Sequence, residues 1–308
     1  MYVHTLSVML FLCFIPRVLN AQQLGSVITF QETISSDEER EKFFFPSVVF
    51  TDRFTNELYL IDGKSRIIIF NSDFFPVHTI GKNKGIETPQ GLTVDARGTL
   101  YVAQSESDTN PKSRISVYSS CLKWERDIYL EGFEGSQSFI PYRLAADKGG
   151  NLYVSGNNFP GVLFLDNRGR LIDIITPEEG DKKVIVTNVM LDKEDRLYIV
   201  SEAEGRIYIY DKERNFIMKF GEKGGSSGKL SRPRAVGVDE SNGRMYVVDY
   251  MRHTITVYNR DGTFIFEFGG LGWGEGWFQH PGDLAVDNEG RIIVADTFNQ
   301  RVQVFNSR

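Results

Sequence analysis

The sequence predicts an all-β fold, a six-bladed β-propeller of four-stranded antiparallel blades closed by an N-terminal strand in the last blade. Three observations predict it: one motif that returns six times, a train of short alternating segments behind each copy, and a final copy that is one strand short. Fixed-period self-similarity of this kind marks a repeat architecture, in which each unit buries its apolar faces only against its neighbours.

The motif reads Pro, two variable residues, an alternating apolar pair and Asp. Its copies are PSVVFTD at 46–52, PQGLTVD at 89–95, PYRLAAD at 141–147, VTNVMLD at 186–192, PRAVGVD at 233–239 and PGDLAVD at 281–287. Their Asp residues lie 43, 52, 45, 47 and 48 apart. After each Asp comes a short turn, with Gly98, Gly150, Gly243 or Gly290 in four of them, and then a second apolar run such as LYLI, LYVA or MYVV. Asp can bond its own turn backbone and Gly accepts positive φ, so this is where a strand reverses. A third run follows, RIIIF in the first repeat and RVQVF in the last; a fourth is clear in IMKFG and FIFEFG. Four strands per unit make a propeller blade, and no helical periodicity interrupts them.

The last repeat stops at RVQVFNSR, before any fourth strand. Residues 24–30 precede the first repeat and alternate as a strand does, so they are expected to complete the last blade and remove its open edge. Residues 22–308 then form one domain. Ahead of it, Leu6–Ile15 is almost continuously apolar, too short for a bilayer span and followed by Pro16 and Arg17. Residues 1–21 are therefore expected to be a signal peptide cleaved after Ala21, giving an exported protein of the periplasm or extracellular space, with no stable membrane span once cleaved. Cys121 would be the only thiol left, which leaves no intramolecular disulfide, and it is expected to act as a small apolar filler.

A net charge of −6, with Lys and Arg interspersed among Asp and Glu, excludes the clustered positive field that a nucleic-acid partner needs. No nucleophile elbow or phosphate loop occurs: GEKGGSSGKL at 221–230 places Leu where Ser or Thr is required.

The last repeat, HPGDLAVDNEGRIIVADTFNQRVQVF at 280–305, closely resembles the NHL repeat family, including Asp296, Asn299 and Arg301 of its loop and third strand. The resemblance extends more loosely over 46–308. It implies the six-bladed fold; for activity it implies little, because similar propellers serve as enzymes, protein-binding modules and RNA-binding modules. Asp296 and Arg301 are expected to be scaffold, tying adjacent blades by a charge-assisted bond. The peptide-amidating lyases, similar in fold, carry zinc-binding His near the channel opening. Pro46, Pro89, Pro141, Val186, Pro233 and Pro281 stand at those places here, so that chemistry is not expected.

In this topology the loop before the first strand of a blade and the loop between its second and third strands emerge on one face, around the channel mouth. Convergent polar groups there form the expected ligand site: Tyr142, Arg143, Asn157, Asn158, Asn188, Glu202, Arg234, Tyr250, Arg252 and Asp283. No catalytic residue, metal ligand or cofactor is predicted. Calcium, which needs only carbonyls and a few Asp or Asn oxygens, stays open as a structural or catalytic ion. Trp273 and Trp277, in the Gly-rich loop 269–278, are expected to pack over a blade joint. The sequence thus points to a non-catalytic scaffold binding a protein or small ligand at the channel mouth, of unspecified oligomeric state. The alternative is a divalent-metal-dependent hydrolase or lyase at the same mouth, using Asn157, Asn158, Glu202 or Asp283.

Overall fold

The structure, a computed structural model, describes residues 28–307. The expected signal peptide and residues 24–27 lie outside them. The described residues form six four-stranded antiparallel sheets and one two-stranded ribbon. Blade 1 comprises Val48–Thr51, Leu58–Asp62, Arg66–Phe70 and Pro76–Ile80, from the channel outward. Blades 2 to 5 begin with the innermost strands Pro89–Val94, Pro141–Ala146, Asn188–Leu191 and Pro233–Asp239. Blade 6 takes Asp283–Val286, Arg291–Asp296 and Arg301–Ser307 from the C-terminal end of the chain and Ile28–Ile34 from the N-terminal end.

The recurring Asp does the same work in every blade. One carboxylate oxygen of Asp52, Asp95, Asp147, Asp192, Asp239 and Asp287 accepts the backbone N–H two residues on, at 2.8–3.0 Å. It thereby satisfies a turn donor that would otherwise lack a partner. These six turns gather on one end of the propeller, the turn face. The loops that precede the innermost strands and those that join second to third strands lie on the opposite end, the mouth face.

Second and third strands are buried along almost their whole length: every residue of Leu58–Asp62 and Arg66–Phe70 is buried. Both faces of each sheet are covered, so these segments carry near-continuous apolar runs where a half-exposed sheet would alternate strictly. Six apolar clusters fill the six joints between consecutive blades, including the joint from blade 6 back to blade 1.

The closing strand pairs antiparallel with Arg301–Ser307, from Ile28 opposite Ser307 to Ile34 opposite Val302. It runs four residues further than the expected 24–30, because a bulge between Phe30 and Glu32 interrupts the alternation at the point where the pattern in the sequence ends. Phe30 meets Phe305 edge-on at 6.0 Å and joins the blade 5–6 cluster, while Ile34 joins the blade 6–1 cluster. One strand therefore fastens both sides of the last blade.

Asp296 is the fixed point of that blade. Its carboxylate accepts from Gln279 N at 2.7 Å, Asn299 Nδ2 at 2.8 Å, Arg301 Nε at 2.8 Å and Gln303 Nε2 at 3.0 Å. Arg301 in turn donates Nη2 to the carbonyls of Gly274 and Trp277, holding the loop from blade 5. Phe278, fully buried, closes that joint; Trp277 lies against Gly270 and Gly272, but Trp273 is 77 % exposed and covers nothing. Cys121 also departs from expectation. It sits exposed in a turn between the two outer strands of blade 2, a reversal that needs no apolar filler.

Deleting Ile28–Ile34 is expected to lower Tm by at least about 10 °C, since each large apolar side chain withdrawn from its cluster costs about 1.5–3 kcal/mol. A calorimetric scan indistinguishable from that of the full chain would show that the ring holds without this strand.

Candidate functional site

The expected site residues separate into four groups. Arg143, Asn188 and Asp283 each occupy the third place of their motif, where the innermost strand begins and the side chain meets the channel; all three are buried. Asn157 and Asn158 lie exposed in the loop of blade 3, with Asn158 at φ 60°. Tyr142, Glu202, Arg234 and Tyr250 are half-buried on the mouth face. Arg252 turns away from the channel, donating to Glu267 Oε1 at 2.7 Å and to the Lys229 carbonyl at 3.1 Å, and so fastens the outer part of blade 5.

Within the channel the buried group forms a polar collar. Asp283 accepts Val49 N at 3.2 Å and Leu284 N at 3.0 Å. Asn188 donates Nδ2 to the Arg234 carbonyl at 2.9 Å, and Arg143 donates Nη1 to the Gln90 carbonyl while its guanidinium stacks on Tyr142 at 4.0 Å. Burial pushes the Asp283 carboxyl up to about 6, against the opposing pull of the Arg143 charge and the two backbone N–H groups. Beyond the collar, a cavity of about 170 Å³ extends toward the turn face. At that end Asp192, Glu194 and Glu240 bring carboxylate oxygens within 4.8 Å of one another. Arg196 pairs with Asp192 at 2.7 Å, and Arg260 lies 3.4 Å from Asp192 and 3.6 Å from Glu194, so two guanidinium groups offset Asp192 and Glu194 of the trio.

On the mouth face the structure assembles a cluster that spans blades 4, 5, 6 and 1. Glu202 pairs with Arg232 and, at 2.8 Å, with Arg234. The Arg234 guanidinium sits 4.5 Å from the centre of the Tyr250 ring. Tyr250 meets the His280 imidazole at 4.6 Å with planes 35° apart, His280 meets Phe298 at 5.0 Å, and Phe298 meets Phe45 at 5.3 Å. His253 packs against His280 at 4.4 Å, and its Nδ1 accepts the His280 backbone N–H at 2.9 Å. That bond leaves the proton of the neutral imidazole on Nε2. Burial, and secondarily the neighbouring His280, hold His253 below the usual imidazole range, which favours the neutral form.

His253 has φ 58°, yet this is no functional strain. Ser65, Gly205 and Gln300 close the equivalent loops of blades 1, 4 and 6 at φ 54–61°, so the loop itself requires a left-handed residue there. Phe45, His280 and Phe298 were absent from the expected set. The signal that finds them is position: Phe45 and His280 immediately precede the motif prolines of repeats 1 and 6, which brings each beside the second-to-third-strand loop of the preceding blade.

Residues 278–305 match the NHL repeat. No curated protein sequence matches the chain. Among solved structures, an auxiliary nutrient binding protein from Bacteroides ovatus superposes with a TM-score of 0.66 at 17 % identity, over 92 % of this chain and 76 % of that one. One from Bacteroides thetaiotaomicron gives 0.66 at 13 %, over 91 % and 76 %. A catalytically inactive variant of virginiamycin B lyase from Staphylococcus aureus, solved with quinupristin, gives 0.60 at 12 %, over 85 % of this chain and 80 % of that one. At these identities the likeness is one of fold.

Asp283 yields a prediction with a definite sign. A carboxyl whose pKa is higher in the folded than in the unfolded chain makes folding less favourable once the pH rises above both values, and this cost disappears as pH falls through about 6 toward the ordinary carboxylate range. Asp283→Asn should therefore raise stability in urea titrations at pH 8, by up to about 3 kcal/mol, with a smaller gain at pH 5. A loss at pH 8 would contradict the assignment.

Proposed function

Because the chain belongs to the NHL-repeat family and folds as a six-bladed β-propeller, we propose that it is an exported, non-catalytic binding propeller that holds a protein or small-molecule ligand on its mouth face. The observation that carries this reading is the continuous run Tyr250, His280, Phe298 and Phe45, contributed by three blades and left open to solvent at its edge, where Phe298 is 44 % exposed. Aromatic faces supply contact area at little entropic cost. The Glu202, Arg232 and Arg234 cluster beside them supplies charged groups already held in place, so a ligand meets a rigid surface. The resemblance in fold to Bacteroides proteins named for nutrient binding supports a binding role.

The alternative, a metal-dependent hydrolase or lyase at the mouth, has less support. Asn157 and Asn158 belong to blade 3, Glu202 is committed to two arginines, and Asp283 lies buried in the channel. Among the described residues the one three-acid cluster is on the turn face.

A fragment library screened by NMR tests the reading. Hits are expected to shift the imidazole signals of His253 and His280 and to vanish in Tyr250→Ala; hits that leave both imidazoles unmoved would place the ligand elsewhere. Export rests on the apolar segment ahead of the propeller, with its short Leu6–Ile15 stretch and small residue at Ala21. N-terminal sequencing of protein recovered after expression of the full chain is expected to begin at Gln22, and an intact Met1 would count against secretion by this route.

A further inference from the structure

Two buried charges border the channel without touching each other. Arg143, 8 % exposed, projects from blade 3; its Nε has no hydrogen-bond partner, and among the described residues no carboxylate lies within ion-pair distance of it. Asp283, 4 % exposed, projects from blade 6, which stands opposite blade 3 in a ring of six. It accepts two backbone N–H bonds and a side-chain bond from Asn188, feels the Arg143 charge across the channel and, among the described residues, forms no ion pair. Buried charges are normally paired, because a lone one loses its hydration and gains nothing in return. Here, among the described residues, neither charge on the two sides of one cavity has an ion-pair partner, although each is hydrogen-bonded.

That cavity has the other properties of a small-molecule site. Phe50, Val94, Met190 and Val238 give it apolar walls between the polar collar and the turn face, and its volume of about 170 Å³ limits the occupant to a small molecule. At its turn-face end Arg53 reaches across from blade 1. Nη1 donates to Asp195 Oδ1 at 2.9 Å and to the Asp192 carbonyl at 3.3 Å in blade 4, and Nη2 donates to the Ala146 carbonyl at 3.3 Å in blade 3. A side chain that spans the ring in this way restricts the opening.

We propose that the channel is a second binding site, independent of the mouth face, for a free α-amino acid with an apolar side chain. Its carboxylate lies on Arg143, its ammonium on Asp283 and its side chain along the apolar walls, with Arg53 strapping the turn-face opening. A zwitterion supplies an ion-pair partner to both charges at once, and does so without adding net charge to the channel. A simple anion would satisfy Arg143 while facing the Asp283 carboxylate; a simple amine would do the reverse.

Titration calorimetry and thermal shift with L-methionine and L-leucine as probes test this on the intact protein. Both are expected to bind and to raise Tm. N-acetyl-L-methionine and L-methionine amide, each lacking one charge, are expected to bind at least about tenfold more weakly, as loss of one charge-assisted contact implies. Asp283→Asn, expected above to fold, should weaken L-methionine by a similar factor, as should Arg143→Gln. Absence of heat and of any shift with both free amino acids at about 10 mM would overturn the proposal. So would equal binding of the capped and free forms to the unmodified protein, a comparison that does not depend on either variant folding.

Discussion

Closure of the ring is the constraint on which the rest of the molecule depends. A single four-stranded blade exposes two apolar faces, and each is covered only when a blade stands on either side. Five of the six joints follow from chain continuity. The sixth, between blade 6 and blade 1, needs the two ends of the chain to meet, and Ile28–Ile34 brings them together by pairing with Arg301–Ser307. Because Phe30 enters one joint and Ile34 the next, the closing strand completes the hydrogen bonding of an edge and also seals two apolar clusters.

Scaffold and site are built from different positions of one repeat. The motif Asp is spent on its turn in all six blades, and the Asp296 carboxylate is fully engaged by four donors within the last blade. Such residues recur because the blade recurs. Positions next to them are free to vary, and the two ends of the propeller have accordingly diverged. The mouth face gathers aromatic rings beside paired charges. The channel behind it is apolar along its walls, with isolated charges at its collar. Surfaces this different in chemistry suit different ligands, and they are separated by the buried Arg143, Asn188 and Asp283.

The third motif position shows how a repeat that is uniform in outline becomes specific in detail. It holds Val48, Gly91, Arg143, Asn188, Ala235 and Asp283 in turn around the ring. Small or apolar side chains there simply narrow the channel. A charged one is placed in a low-dielectric interior, where burial raises the Asp283 carboxyl to about 6 and any partner it finds counts for more than it would in water. Arg143 and Asp283, on facing blades, are the two charged residues at this position of the repeat.

By itself, the sequence determined the blade count, the strands within each blade, the turn chemistry of the motif Asp and the need for a closing strand, because these depend on local periodicity and on arithmetic along the chain. The extent of that strand was not legible, since the bulge after Phe30 breaks the alternation that reveals strands. Nor was the ribbon Glu178–Glu179 with Lys182–Lys183, too short to show any period. Site residues were legible as positions on a face, but their roles were decided by tertiary structure alone. Side-chain direction sent Arg252 outward to Glu267, drew Arg143 and Asp283 into the channel, and set Phe45, His280 and Phe298 beside Tyr250 from residues 45 to 298 of the chain. Proximity across a closed ring is set by which blades become neighbours, and no local pattern records it.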